Sequence, residues 1–231
     1  EEPEHILAGT ELSDPEIVSW SPNGERLVFS ALEPGANQTE NNLYLVSPDG
    51  SSLDVVKTDE NTLSPAWSPD GEWLAFHSNC DVAIMHPDGS GVRKVWQNSP
   101  GVRGCSAWPQ WSPDSQRLVV NMQIGDEWDF PMERQIWVID LANNDRVIPV
   151  ASLYYENEKY IQFEVAFSPD GAQVAYINEQ DQPMLVNADG SGGQHSLNEF
   201  PYWWMSFTYP QWGKPAAAPL ALPEPVVPVS M

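Results

Sequence analysis

The chain is 231 residues long, 41% hydrophobic and 11% aromatic, enough apolar side chain to bury one sizeable core. Its 10 Lys and Arg stand against 33 Asp and Glu, a formal net charge of -23 that repels phosphate backbones and anionic headgroups and speaks against nucleic acid and direct membrane binding. No 18-residue apolar run is present to span a bilayer; so much acid serves first as a solvated face and second as attraction for a basic partner.

The sequence opens on Glu1-Glu2-Pro3-Glu4, without an initiating Met or an apolar export segment, as a mature or excised chain would. His5-Ile6-Leu7-Ala8 sits where an outer strand would precede a first repeat. The repeat itself then begins. Trp20-Ser21-Pro22-Asn23-Gly24 recurs as Trp67-Ser68-Pro69-Asp70-Gly71, Trp111-Ser112-Pro113-Asp114-Ser115 and Phe167-Ser168-Pro169-Asp170-Gly171, with a degraded fifth copy at Tyr209-Pro210-Gln211-Trp212-Gly213. The aromatic positions 20, 67, 111, 167 and 212 lie 47, 44, 56 and 45 residues apart, the length of one four-stranded propeller blade.

After each block comes a β-rich run: Arg26-Leu27-Val28-Phe29, Trp73-Leu74-Ala75-Phe76, Arg117-Leu118-Val119-Val120 and Gln173-Val174-Ala175-Tyr176. A third strand is expected at Leu43–Val46, Val82–Met85, Ile136–Ile139 and Pro183–Val186, followed by turns at Asp49-Gly50, Asp88-Gly89, Asn143-Asn144-Asp145 and Asp189-Gly190, then a weaker fourth strand. Within the block, Pro presets φ, Asp bonds an amide two residues on and Gly takes positive φ. Asp70, Gly71, Asp114, Asp170 and Gly171 are therefore expected to be turn formers, and the aromatic before them to fill the gap between blades.

The repeated Trp-Ser-Pro-Asp-Gly block, the aliphatic strand and the Asp-Gly-Ser turn together resemble TolB-like propeller repeats across residues 15–213. The resemblance implies an all-β fold, a β-propeller of four full blades over residues 1–213, with the terminal strands contributing to a partial or closing blade. It also implies an extracytoplasmic bacterial location, periplasmic, cell-surface or secreted. TolB itself has six blades, so a four-bladed ring, a ring completed by another chain or oligomer, and truncation all stand open. Residues 214–231 carry five prolines and read as an extended tail or linker.

Alternation of antiparallel strands sorts the loops by face. The Ser-Pro-Asp-Gly and Asp-Gly-Ser turns share one short-looped face. The other collects residues 31–42, the 125–130 loop with Trp128 and Phe130, the 154–160 connection with Tyr154, Tyr155 and Tyr160, and the 200–204 stretch with Tyr202, Trp203 and Trp204. Loops on a rigid scaffold commonly carry binding, so these aromatics are the candidate contact residues, set against the alternative that they pack over the channel. Cys80 and Cys105 fall on the same face and are a disulfide candidate, closing about 25 residues for about 3 kcal/mol in the chain-entropy account.

No catalytic constellation is apparent: there is no G-x-S-x-G elbow or H-E-x-x-H, and His5, His77, His86 and His195 are scattered over separate blades. Carboxylates meeting in a channel would attract Ca2+, but the dispersed Asp-Gly turns lack a chelating spacing, so no metal or cofactor is expected. The expectation is a noncatalytic protein-protein interaction scaffold of the cell envelope. A carbohydrate-binding propeller, an accessory propeller of a larger hydrolase and a structural subunit of a surface assembly are the alternatives.

Overall fold

A computed structural model describes residues 6–7, 9–33, 41–56, 61–97, 108–124, 132–155 and 165–196. These form four four-stranded sheets. The first holds β1 (Ser13–Trp20), β2 (Leu27–Leu32), β3 (Asn41–Val46) and β4 (Leu53–Val56); the second holds β5 (Thr62–Trp67), β6 (Leu74–Ser78), β7 (Asp81–Met85) and β8 (Arg93–Trp96). The third holds β9 (Gln110–Trp111), β10 (Arg117–Ile124), β11 (Met132–Asp140) and β12 (Arg146–Tyr155), and the fourth β13 (Val165–Phe167), β14 (Gln173–Ile177), β15 (Pro183–Asn187) and β16 (His195–Ser196). Each sheet is an antiparallel meander with its strands side by side in chain order.

The turn between first and second strands is built the same way four times. Ser21, Ser68, Ser112 and Ser168 each accept the amide five residues on through Oγ at 2.9 Å. The same hydroxyl lies within hydrogen-bond distance of the Asn23, Asp70, Asp114 or Asp170 side chain, whose oxygen in turn accepts the amide two residues further along. Asp70, Asp114 and Asp170 thus each hold the amide two residues on within their own turn. Gly71 and Gly171 take φ of +79° and +69°, and a Cβ on Gly171 would stand 2.6 Å from the Arg117 guanidinium of the sheet before it. Ser115 replaces Gly in the third copy at φ 58°; its hydroxyl accepts the Asp70 amide at 3.1 Å, a bond between sheets that offsets the strained backbone.

Successive sheets meet through apolar seams. Val28, Leu43, Leu45 and Val56 pack with Leu74, Phe76, Ala83 and Met85 between the first and second. Between the second and third lie Ala66, Ala75, Val82 and Ile84 with Trp111, Leu118 and Val120; between the third and fourth, Val119, Ile136 and Val138 with Phe167, Val174 and Tyr176. The block aromatic reaches back to the sheet before it: Trp111 Nε1 donates to the Ala66 carbonyl at 3.0 Å, and Phe167 lies beneath the Arg117 guanidinium at 5.3 Å. Trp20, at the corresponding position of the first sheet, is 56% exposed.

Three expected boundaries move. The first irregular loop is shorter than residues 31–42, since β2 runs to Leu32 and β3 starts at Asn41. Tyr154 and Tyr155 belong to β12, not to a connection, and that fourth strand is ten residues long instead of weak. It reaches this length because β11 pairs with it from Met132–Tyr155 to Asp140–Arg146, through one register shift at Ile136/Trp137.

Ser68 is fully buried, so Ser68→Ala leaves the Trp73 amide without its side-chain acceptor and should cost about 1–2 kcal/mol in urea unfolding. A loss below a few tenths of a kcal/mol would mean the hydroxyl does not organise the turn.

Candidate functional site

Buried polar side chains separate the two faces. Ser21, Ser68, Ser112, Ser115 and Ser168 belong to the short-looped face and are consumed by the turns. The remaining ones, Ser30, Thr62, Ser64, His77, Ser78, Asn121, Arg134 and Asn178, lie in the halves of their strands, or just past the ends, that lead to the opposite face. That face is the candidate site.

Its loops are held by local chemistry. Thr62 Oγ1 donates to the Asn41 carbonyl at 2.9 Å, and the Asn41 amide donates to Asn61 Oδ1 at 2.8 Å, tying the first sheet to the second. Asn178 Oδ1 accepts the amides of Gln180 and Gln182, which closes the β14–β15 hairpin. The β6–β7 hairpin turns through Asn79 (φ 51°) and Cys80 (φ 98°), and His77 Nε2 accepts the Cys80 amide at 3.0 Å. Cys80 is disulfide-bonded. Cys105 lies outside the described residues.

The seam between the third and fourth sheets ends at this face in Arg134, Tyr155 and Tyr176. Arg134 is 1% exposed and shares the alternation of Ile136 and Val138, so it points into the seam. Burial pushes the Tyr155 phenol up to about 12 against the pull of Arg134, and burial with Glu179 pushes Tyr176 up to about 12. Both phenols therefore stay protonated at neutral pH. The group is a set of hydrogen-bond donors beside carboxylates of the β14–β15 loop, suited to holding a polar ligand or loop rather than to nucleophilic attack. Among the described residues no cluster of His, Cys, Asp or Glu is placed to hold a metal ion.

Of the expected contact aromatics, Tyr154 is 57% exposed and Tyr155 is 6% exposed within the seam. Alternation along β12 puts the two on opposite sides. Trp128, Phe130, Tyr160, Tyr202, Trp203 and Trp204 lie outside the described residues. Arg134, Tyr176 and Asn121 were missed by motif reading. Their signal was the period of two, which places Arg134 in line with Ile136 and Val138 inside an otherwise apolar row.

Among the described residues, four antiparallel meanders, with aromatics that reach back to the preceding sheet, give an all-β, propeller-like fold. No family model matches the chain. It is similar to Protein TolB homolog of Chlorobium luteolum, 26% identical over 126 residues, covering 53% of this chain and 26% of that protein. It is also similar to Tol-Pal system protein TolB of Ruthia magnifica, 27% over 103 residues, covering 42% and 24%, and to the uncharacterized peptidase YuxL of Bacillus subtilis, 27% over 129 residues, covering 52% and 19%. The chain thus spans 19–26% of the length of these relatives.

Among solved structures, oligogalacturonate lyase of Vibrio parahaemolyticus superposes with a TM-score of 0.66 at 14% identity, covering 84% of this chain and 56% of that one. A TolB structure from Agrobacterium tumefaciens gives 0.50 at 20%, covering 63% and 52%. These establish the fold. No helix among the described residues is long and apolar enough to cross a membrane.

His77 carries a pH dependence. Burial, opposed by the charge of Asp81, lowers its pKa below 6.5, and its Nε2 must stay unprotonated to accept the Cys80 amide. The folded state then binds fewer protons than the unfolded chain below pH 6.5, so stability is whole above that pH and falls as the pH drops toward the folded value. Urea midpoints at pH 7 and pH 5 should differ more in the wild type than in His77→Gln. Equal slopes would remove the histidine from the account.

Proposed function

We propose that the protein is a noncatalytic propeller of the bacterial cell envelope, extracytoplasmic, that engages a protein partner through its loop-rich face. The observation that carries this reading is the asymmetry of the faces. One is locked in repeated serine and aspartate turns, while the strand ends toward the other hold a row of buried polar side chains. The similarity to TolB proteins, one of which bears the name of the Tol-Pal system, supports the envelope location and the protein partner. With a net charge of -23, a partner with a basic contact patch is favoured electrostatically.

The contact set proposed is Tyr154, which is exposed beside the third blade, with Trp128, Phe130, Tyr160, Tyr202, Trp203 and Trp204 from the connections. Replacing Trp203 and Trp204 together by Ala should weaken capture of envelope proteins by at least about tenfold while the melting temperature stays within about 2 °C. Capture at the wild-type level would remove these residues from the contact surface.

A second reading rests on a specific finding. The chain matches part of a peptidase and superposes on acylaminoacyl peptidase of Pyrococcus horikoshii with a TM-score of 0.52, covering 32% of that chain. In that case the propeller is the accessory half of a hydrolase, and the complete reading frame encodes an α/β catalytic domain as well. A glycan array on the purified chain separates either reading from carbohydrate binding.

The disulfide of Cys80 is assigned here to Cys105, a pairing that fits an oxidising compartment. Intact mass after alkylation without reductant should show no label, and two labels after reduction. Labelling of the unreduced native protein at either cysteine would overturn both the pairing and the compartment argument built on it.

A further inference from the structure

Among the described residues, the far face of the fourth blade repeats one side of an interface seen within the same molecule, without the aromatic that covers it there. In the second blade, Ala66 of β5 pairs with Ala75 of β6, and Ala75 with Ile84 of β7. Ala66 and Ala75 are 7% and 0% exposed and share one core cluster with Trp111, whose indole donates to the Ala66 carbonyl. The two small side chains leave room beside them for the indole that packs in the same cluster.

The fourth blade repeats the pair. Ala166 of β13 pairs with Ala175 of β14, and Ala175 with Leu185 of β15. Here all three are half-buried, as are Ile177 and Pro183 in the same rows, whereas every residue of β6 is buried. The first and third blades differ at this position: Ser19 pairs with Val28 and receives Trp67, and Gln110 pairs with Val119 and receives Phe167. An Ala–Ala pair thus stands opposite Trp111 in the second blade and, among the described residues, meets no such aromatic in the fourth.

The sequence supplies an occupant. Pro210-Gln211-Trp212 repeats Pro109-Gln110-Trp111 residue for residue, and each is preceded by an aromatic, Tyr209 or Trp108. The stretch from the end of β8 at Trp96 to Trp111 and that from the end of β16 at Ser196 to Trp212 differ in length by a single residue. We infer that residues 209–213, which lie outside the described residues, dock on the far face of the fourth blade as the inner strand of a fifth. Trp212 packs on the Ala166–Ala175 pair and its indole N–H donates to the Ala166 carbonyl. By strand alternation the connection carrying Trp203 and Trp204 is thereby returned over the loop-rich face.

Hydrogen exchange followed by mass spectrometry on the full chain tests this. Trp212→Ala should speed exchange of β13–β15 amides by about tenfold or more and lower the melting temperature by about 5–10 °C, with Trp212→Phe recovering part of both. The Trp203/Trp204 double variant should leave fourth-blade exchange unchanged, so failure of the contact-surface assignment is read separately. A benzophenone amino acid in place of Trp212 should cross-link within residues 166–185. Wild-type exchange and melting in Trp212→Ala, or cross-links confined to other blades, would overturn the inference.

Discussion

A single serine hydroxyl in each sheet fixes the relation between that sheet and the one before it. Ser21, Ser68, Ser112 and Ser168 each hold the amide five residues on, and each backbone amide donates to the carbonyl of that same residue at 2.8–2.9 Å. The first two strands therefore leave the turn in one register. The aromatic immediately before the serine, with its orientation set by that register, faces the preceding sheet. Were the register to slip by one, every aromatic would point to the opposite side and the seams would lose their largest side chains. The fold thus depends on a polar contact at one end of each blade to place an apolar one between blades.

The same turns allocate part of the acidic charge. Ser51 holds Asp49, down to about 2, chiefly through its amide, and the hydroxyls of Ser90, Ser168 and Ser191 hold Asp88, Asp170 and Asp189 below the usual carboxylate range. Lowered values keep this face anionic well into acid. Yet each of these carboxylates is engaged with its own backbone and has little freedom to reorient toward a partner. Ion pairs such as Arg26–Asp54 and Lys94–Asp81 are partly exposed and contribute little to stability. Most of the charge acts as a long-range field and not as a set of contacts.

Much of the fold was legible because each blade announces itself by a turn whose chemistry is local. Proline, aspartate and glycine at fixed offsets need only their own neighbours to act, so Asp70 and Gly171 could be assigned from the string alone. Tyr155 was not legible in that way. Its neighbours in sequence suggest an irregular connection, and it is the pairing with Met132, on a strand distant in sequence, that extends β12 to include it. Arg134 was obscured for a related reason: a charged residue inside an apolar alternation reads as a surface position until two sheets close over it. The site depends on contacts between blades, which a repeat period counts but does not describe.

Proteins bearing the names of a lyase, a peptidase and TolB share this architecture with the chain at identities of 20% or below. The architecture therefore cannot carry their differences, and neither can the turns, which do the same structural work in every blade. What varies within this one chain is a fair guide to what varies among such proteins. Between blades the serine turns are nearly superimposable in their bonding, while the opposite strand ends hold a hydroxyl at Ser30, an imidazole at His77, a guanidinium at Arg134 and an amide at Asn178. Repetition was retained where the ring needs it and abandoned where it does not. On the interaction reading proposed above, recognition would fall to the loop-rich face, beneath which the blades differ most in their buried polar side chains.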